Sequence, residues 1–312
     1  MVHSLSQGAR GTIRKMDTQA GTKASLLIGL IGAGIADSRT PAMHEAAARA
    51  LGLPLVYRRI DLNTHAPIPL PDLLSQLEWM GFDGLNITYP CKQEILPLMD
   101  ELSQNAQGVN AVNTVVFRNG RRLGHNTDIW GFAEAFRRDL SGVQHRAVLQ
   151  LGAGGAGAAT AFALLGQGVT DLRIYDPMVD RSAALVAQLS SQYDPARISV
   201  VTDPAQAAMG CDGIVNASPV GMEKLPGLPM PVEALPAGSW VADIIYFPMQ
   251  TAFITAAKER GSRVMNGAGM ALWQAVRAFS LFTDIDPDPD AMRAAFNAAL
   301  PAPTVQPARM IS

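Results

Sequence analysis

The stretch VLQLGAGGAGAATAFALLGQGVTDLRIYD, residues Val148–Asp176, decides how this chain is read. An apolar strand runs into a glycine turn, a small-residue helix follows, and a second strand ends on an acid. Gly152, Gly154 and Gly157 match G-x-G-x-x-G, and Asp176 follows at the distance of a ribose ligand. In such a unit the first glycine makes the tight turn, the second lets backbone approach a pyrophosphate, and the third lets helix and strand pack closely. The helix N-terminus offers unpaired N–H groups and a positive dipole end to phosphate. Gly152, Ala153, Gly154, Gly155, Ala156 and Gly157 are therefore the candidate cofactor-binding loop, with Asp176 as its selecting acid.

A second stretch imitates the first. Leu26–Gly34, LLIGLIGAG, is also an apolar strand leading into glycines, but Asp37 stands at the third glycine position. Its carboxylate would face the pyrophosphate, and the next strand-end acid, Asp61, lies too far along. The cluster Asp37-Ser38-Arg39-Thr40-Pro41 precedes a helix with proline in its first turn. This turn suits a small polar ligand better than a dinucleotide.

At 312 residues the chain predicts two domains with a substantial core. Hydrophobic residues make up 48% and charged residues 17%, an ordinary globular balance. A formal net charge of −2 offers no electrostatic reason to expect nucleic acid or an anionic membrane as partner. No apolar run reaches the ~18 residues of a membrane span. The two cysteines, Cys91 and Cys211, form neither metal spacing nor a disulfide framework, so no metal is expected and a reducing cytoplasm is. Residues 1–24 are polar and lack the apolar face of a transit-peptide helix, and they are read as a disordered tail.

From Ser25 onward strand-like and helix-like segments alternate, which predicts parallel sheets with helical crossovers. The expected class is α/β: an N-terminal substrate domain over residues 25–127 with 270–302, and a Rossmann domain over 128–269. Short helices able to hinge would join them.

Polar residues gather where strands end. The clusters are Ser38 and Thr40; Asn86, Thr88 and Lys92; Asn110 and Asn113; Asn126, Thr127 and Asp128; and Gln274. Ligands of parallel α/β sheets sit beyond the carboxyl ends of strands, and neutral amides and hydroxyls suit a polyhydroxylated molecule. Each residue taken alone is also a good turn or cap residue. Lys92 and Asp128 form the pair with reactive potential, because a positioned lysine can take the proton an alcohol loses on oxidation.

The motifs SRTPAMHEA, NITYPCK, GVNAVNT, GHNTD, GAGGAG, NASPVGM, DIIYFP and NGAGMALWQA occur in one order from about Ser25 to Leu300. Together they resemble the shikimate and quinate dehydrogenases. The resemblance implies that Lys92 and Asp128 are the catalytic dyad and that Ser38 and Thr40 hold the substrate carboxylate. It also implies that Asn86, Thr88, Asn113, Asp128 and Gln274 bind ring hydroxyls, with Tyr246 beside substrate and nicotinamide. Gly267 and Met270 would close the nicotinamide side, and Asn216 and Ser218 would line the cofactor channel. Arg39 is read as solvent-facing or capping, and His44 as packed. Cys91 departs from the aromatic or histidine common at its place in the family, which makes thiol alkylation an expected route to disturbing the dyad.

An acid at the end of the second Rossmann strand hydrogen-bonds ribose hydroxyls and repels a 2′-phosphate, so Asp176 points to NAD. The combination of SRTP with this acid resembles NAD-dependent quinate/shikimate dehydrogenases. It implies oxidation of quinate to 3-dehydroquinate, with shikimate to 3-dehydroshikimate as a second activity, in a cytoplasmic monomer or homodimer. The alternatives are an NADP-dependent shikimate dehydrogenase of biosynthesis, an aminoshikimate-type relative, and a non-catalytic NAD or metabolite sensor. Retention of both Lys92 and Asp128 argues against the sensor.

Overall fold

Twelve strands form two six-stranded sheets in the computed structural model, which describes residues 25–64 and 68–298. The tail expected over 1–24 and residues 299–302 of the expected substrate domain lie outside the described residues.

The first sheet contains β1 (Leu26–Gly32), β2 (Leu55–Asp61), β3 (Gly84–Ile87), β4 (Glu101–Leu102), β5 (Thr114–Arg118) and β6 (Arg121–His125), in the order β2-β1-β3-β5-β6-β4. Its intervening helices are α1 (Thr40–Ala50), α2 (Leu70–Trp79), the one-turn α3 (Cys91–Glu94) and α4 (Gln104–Val109). β1 runs parallel to β2 and β3, as alternation predicts. The expectation of a parallel sheet fails at β5, which is antiparallel to both β3 and β6. For the β5–β6 pair the reason is local. Asn119 and Gly120 have φ of 55° and 69°, so a tight turn returns the chain at once and no crossover helix is needed.

The second sheet contains β7 (Ala147–Leu151), β8 (Asp171–Tyr175), β9 (Ile198–Val200), β10 (Gly213–Asn216), β11 (Trp240–Asp243) and β12 (Val264–Met265). All its neighbours are parallel, in the order β12-β11-β10-β7-β8-β9. Every residue of β7 is buried, as expected of a central strand covered on both faces. Strand order reverses between β7 and β10, the crevice where doubly wound sheets bind ligands.

Helix α5 (Asp128–Asp139) leads into this sheet, and α6 (Gly155–Gly166), α7 (Val179–Ser190), α8 (Pro204–Ala208) and α9 (Ala252–Glu259) connect its strands. The chain closes with α10 (Gly267–Thr283) and α11 (Pro289–Ala298). α10 packs on α5 and α11 packs on α1, so the C-terminal helices return to the first unit. Ala278 and Phe282 of α10 share a buried cluster with Ile28, Leu30 and Tyr57. No helix among the described residues is long and apolar enough to cross a membrane.

Candidate active site

Lys92 and Asp128 stand 36 residues apart in sequence, and their Nζ and Oδ2 atoms lie 2.7 Å apart. Each is placed by its own local structure. Lys92 sits on α3, and its carbonyl accepts the Val112 N–H, tying that turn to the approach to β5. Asp128 begins α5, where the Asn126 side-chain oxygen accepts the backbone N–H groups of Asp128 and Ile129. A carboxylate is stabilised at such a helix N-terminus. The Lys92 side chain is 30% exposed and that of Asp128 only 7%, so the ammonium head reaches the surface while the carboxylate backs it from inside.

Asn113 braces the pair. Its Nδ2 donates to Asp128 Oδ1 at 2.9 Å and to Thr127 Oγ1 at 3.0 Å, and its Oδ1 accepts the Thr127 N–H at 2.8 Å. Asn113 is buried, and its amide protons are engaged inside the protein. Asn110, singled out with it in the sequence, is instead the left-handed C-cap of α4, a turn residue.

The second glycine turn, after β1, carries two hydroxyls at the entrance to α1. Ser38 Oγ and Thr40 Oγ1 are 3.2 Å apart at the start of α1. Arg39 occupies the N-cap position without a side-chain capping bond. Asp61, set aside as too distant along the chain, proves structural: its carboxylate accepts the N–H groups of Gly34, Ile35 and Asn63 at 2.9, 2.9 and 3.0 Å. Asp61 thus ties this turn to the end of β2. Thr88 follows β3, and its N–H donates to Ile31. Half-buried Gln274 lies on the face of α10 that packs against Gly131 of α5. Tyr246 is 43% exposed, and its ring meets Phe296 edge-on at 6.1 Å.

In the glycine loop, Gly152 has φ of 106° and its α-carbon faces the Ala217 backbone at a separation that excludes a side chain. A Cβ at Gly157 would lie 2.4 Å from the Gly152 carbonyl oxygen, which is the close helix–strand approach expected of the third glycine. At Gly154 and Gly155 a Cβ would meet nothing within 4 Å, so this side of the loop is open. The sequence reading missed the support beneath it. Gln150, fully buried on β7, donates through Nε2 to the carbonyls of Gly152 and Gly157 at 2.9 Å each. Asp176 accepts the N–H groups of Ala153 and Met178 at 2.9 Å each. A carboxylate oxygen holding one such bond still has a lone pair for a ribose hydroxyl. The loop therefore fits a dinucleotide.

Asn216 is fully buried. Its amide holds Asp243 Oδ1, the Val220 carbonyl and the N–H and hydroxyl of Ser218, so it shapes the loop after β10 from inside. Burial raises the Asp243 carboxyl above its usual range, against the lowering effect of three donors, Ile245, Thr251 and Asn216. Gly267 opens α10, its N–H donating to Ile245 at 3.1 Å, and Met270 is buried one turn on.

The expectation of a readily alkylated Cys91 is corrected. Its residue is 2% exposed, and burial, followed by the charge of Glu94, pushes the thiol up. A protonated, covered thiol is inert. His44 is packed, as expected. It is fully buried among Tyr57, Phe279 and Phe282, and burial lowers its imidazole to about 3.

Known proteins share this architecture. The family model described as shikimate dehydrogenase substrate binding domain matches residues 30–115, and that described as shikimate 5'-dehydrogenase C-terminal domain matches residues 267–295. The chain is 44% identical to a shikimate dehydrogenase (NADP(+)) of Streptomyces avermitilis, over 86% of this chain and 93% of that protein. It is 43% identical to a quinate/shikimate dehydrogenase (NAD(+)) of Corynebacterium glutamicum, over 87% and 98% of the two chains. Among solved structures, quinate dehydrogenase from Corynebacterium glutamicum in complex with NAD superposes with a TM-score of 0.86 at 41% identity, covering 88% of this chain and 99% of that one. A fold, a lysine–aspartate pair and an identity of this extent agree on one conclusion: the chain belongs to the shikimate and quinate dehydrogenase family.

Proposed function

We propose that this chain oxidises quinate to 3-dehydroquinate with NAD, and shikimate to 3-dehydroshikimate as a second activity. The observation that carries the chemistry is the 2.7 Å contact between partly exposed Lys92 and buried Asp128. Residues 25–127 with 270–302 would hold the ring acid, and residues 128–269 the nucleotide. In this reading Ser38 and Thr40 bind the carboxylate, and Asn86, Thr88 and Gln274 orient the hydroxyls, while Asn113, expected among them, has its amide engaged inside the protein and acts by bracing Asp128. Tyr246 flanks the ring. The loop from Gly152 to Gly157 takes the pyrophosphate, Asp176 takes the ribose, and Ser218, Gly267 and Met270 close the channel that Asn216 shapes.

Bound NAD supplies the hydride acceptor. Lys92, as the free amine, accepts the proton of the hydroxyl being oxidised, and in reduction the ammonium returns it. Asp128 holds Lys92 in place, and Asn113 holds Asp128. The acceptor-only carboxylate of Asp176 favours ribose hydroxyls over a 2′-phosphate. The reading places the enzyme in the cytoplasm, as a monomer or homodimer acting on small molecules.

Reduction of the nicotinamide, followed by absorbance with quinate and shikimate each offered NAD⁺ and NADP⁺, tests this directly. Reduction of NAD⁺ by quinate is the expected result. Reduction of NADP⁺ by shikimate alone would overturn both the substrate and the cofactor assignment. Lys92→Ala is expected to lower kcat by about 10²–10⁴ while the Kd for NAD⁺ holds; near-normal turnover would remove Lys92 from the mechanism.

A further inference from the structure

The Lys92–Asp128 pair is one end of a longer hydrogen-bonded chain. Tyr57 Oη donates to Asn86 Oδ1 at 2.8 Å, Asn86 Nδ2 to Thr114 Oγ1 at 3.2 Å, and Thr114 Oγ1 to Asn113 Oδ1 at 3.0 Å. Asn113 Nδ2 then donates to Asp128 Oδ1 at 2.9 Å, and Asp128 Oδ2 receives Lys92 at 2.7 Å. Three strands supply its first half: Tyr57 lies on β2, Asn86 on β3 and Thr114 on β5. Asn86 and Thr114 are direct cross-strand partners on β3 and β5, and Tyr57 reaches them across β1, where Ile28 and Leu30 are the intervening register positions.

The direction of every bond follows from groups that cannot reverse. Ionised Asp128 only accepts, so Asn113 must turn its NH₂ toward it. The Thr127 backbone N–H only donates, so the Asn113 oxygen must lie on that side. Thr114 can then bond the Asn113 oxygen only by donating, which leaves its lone pair for the Asn86 NH₂. The Asn86 oxygen accordingly faces Tyr57. Burial raises the Tyr57 phenol well above its usual range, which keeps it a donor. Its ring is held by His44 at a centroid separation of 5.1 Å.

We propose that Tyr57 and Thr114 are positioning residues that set the orientation of the Asn86 amide, and so fix which of its groups meets a substrate hydroxyl. This rests on the proposed role of Asn86 as a ring-acid ligand. Each end of the Asn86 amide has one bond inside the protein, leaving one N–H and one oxygen lone pair for a ligand. Without the phenol, the Asn86 oxygen loses the donor that holds it, and the amide is tethered by its NH₂ end on Thr114. Chains of this kind strengthen cooperatively, and double-mutant cycles isolate their couplings.

The test uses the full-length enzyme with quinate, shikimate and NAD⁺. Tyr57→Phe is expected to raise KM for the ring acid about five- to tenfold, the scale of one hydrogen bond, with kcat and the Kd for NAD⁺ nearly unchanged. In the Asn86→Ala background the same change is expected to have almost no further effect on KM. An equal rise in both backgrounds would overturn the proposal. A readout free of turnover is the carboxamide ¹⁵N–¹H signals of Asn86 and Asn113, identified by their loss in Asn86→Ala and Asn113→Ala. Tyr57→Phe should displace the Asn86 pair, Thr114→Val both pairs, and Thr114→Ser neither. Unmoved signals in folded Tyr57→Phe and Thr114→Val would sink the idea. If wild-type protein oxidises neither ring acid, the proposed function fails, and the carboxamide signals alone decide the relay.

Discussion

Two strand–turn–helix–strand units in this chain begin alike and diverge within one helical turn. β1–α1–β2 and β7–α6–β8 each carry an apolar strand into glycines, and each has a strand-end acid accepting backbone N–H groups from the loop. Asp61 takes those of Gly34 and Ile35, and Asp176 takes that of Ala153. They differ in what comes next. In the first unit the turn places the Ser38 and Thr40 hydroxyls at the start of α1. In the second, Gly154 and Gly155 leave open space at the start of α6, with Gln150 fixing the loop from below. In the proposed reading, ligand class follows from the few residues at the helix entrance, on a backbone plan common to both units.

Exchanging glycine for alanine at the two turns should break the resemblance most sharply. Gly152→Ala places Cβ 2.7 Å from the Ala217 backbone at φ of 106°, a position with no relief. A destabilisation of about 3–5 kcal/mol, with loss of NAD⁺ binding, is expected from strain plus overpacking. Gly34→Ala, at φ of 68° and with only Asn63 Nδ2 at 3.7 Å, should cost about 1–2 kcal/mol, the conformational term alone. Gly154→Ala should leave the melting temperature unchanged and weaken nucleotide binding. Equal melting shifts at residues 34 and 152 would refute the distinction.

The two helices also differ in acid sensitivity. α1 buries His44, whose ring nitrogens have no hydrogen-bond partner, whereas the buried Thr160 hydroxyl of α6 is bonded to Gln150 and Gly157. Burial lowers the folded-state imidazole to about 3, whereas the unfolded one keeps its ordinary value of 6.5. The unfolded chain therefore takes up the proton first as pH falls below 6.5. Stability is full above that value and is lost progressively toward pH 3, by about 2 kcal/mol between neutrality and pH 5. Hydrogen exchange should show α1 loosening before α6 at pH 5, and His44→Leu should remove that difference. A His44→Leu variant with the same acid dependence as wild type would exclude this imidazole as the cause.

The smallest effect concerns the acids. Asp176→Ala is expected to reduce discrimination against NADP⁺ about tenfold, roughly 1.4 kcal/mol. Asp61→Ala should leave that ratio unchanged while raising KM for the ring acid, since it frees the turn behind Ser38 and Thr40. Steady-state kinetics with both nucleotides separates the two, and altered cofactor preference in Asp61→Ala would contradict the division of labour.

The glycine loop, its acid and the placement of Lys92 and Asp128 near strand ends were legible in one dimension because they depend on local spacing. Backbone geometry around Gly152 and the period of an apolar strand are written in adjacent residues. The role of Asp61 was not, because a carboxylate bonding a turn 26 and 27 residues away is a product of strand pairing. Nor was the inertness of Cys91, which depends on what covers it. The antiparallel β5 was foreshadowed by Asn119-Gly120, yet the pairing itself follows from sheet order.

By itself, then, the sequence determined the α/β class and the nucleotide loop, through short-range patterns that need no knowledge of neighbours, and its resemblance to a family singled out the reactive pair. Only the tertiary structure decided that Tyr57, Asn86, Thr114, Asn113 and Asp128 form one directed chain ending on Lys92. Hydrogen-bond direction depends on atoms brought together by the order β2-β1-β3-β5, and no one-dimensional pattern carries that order.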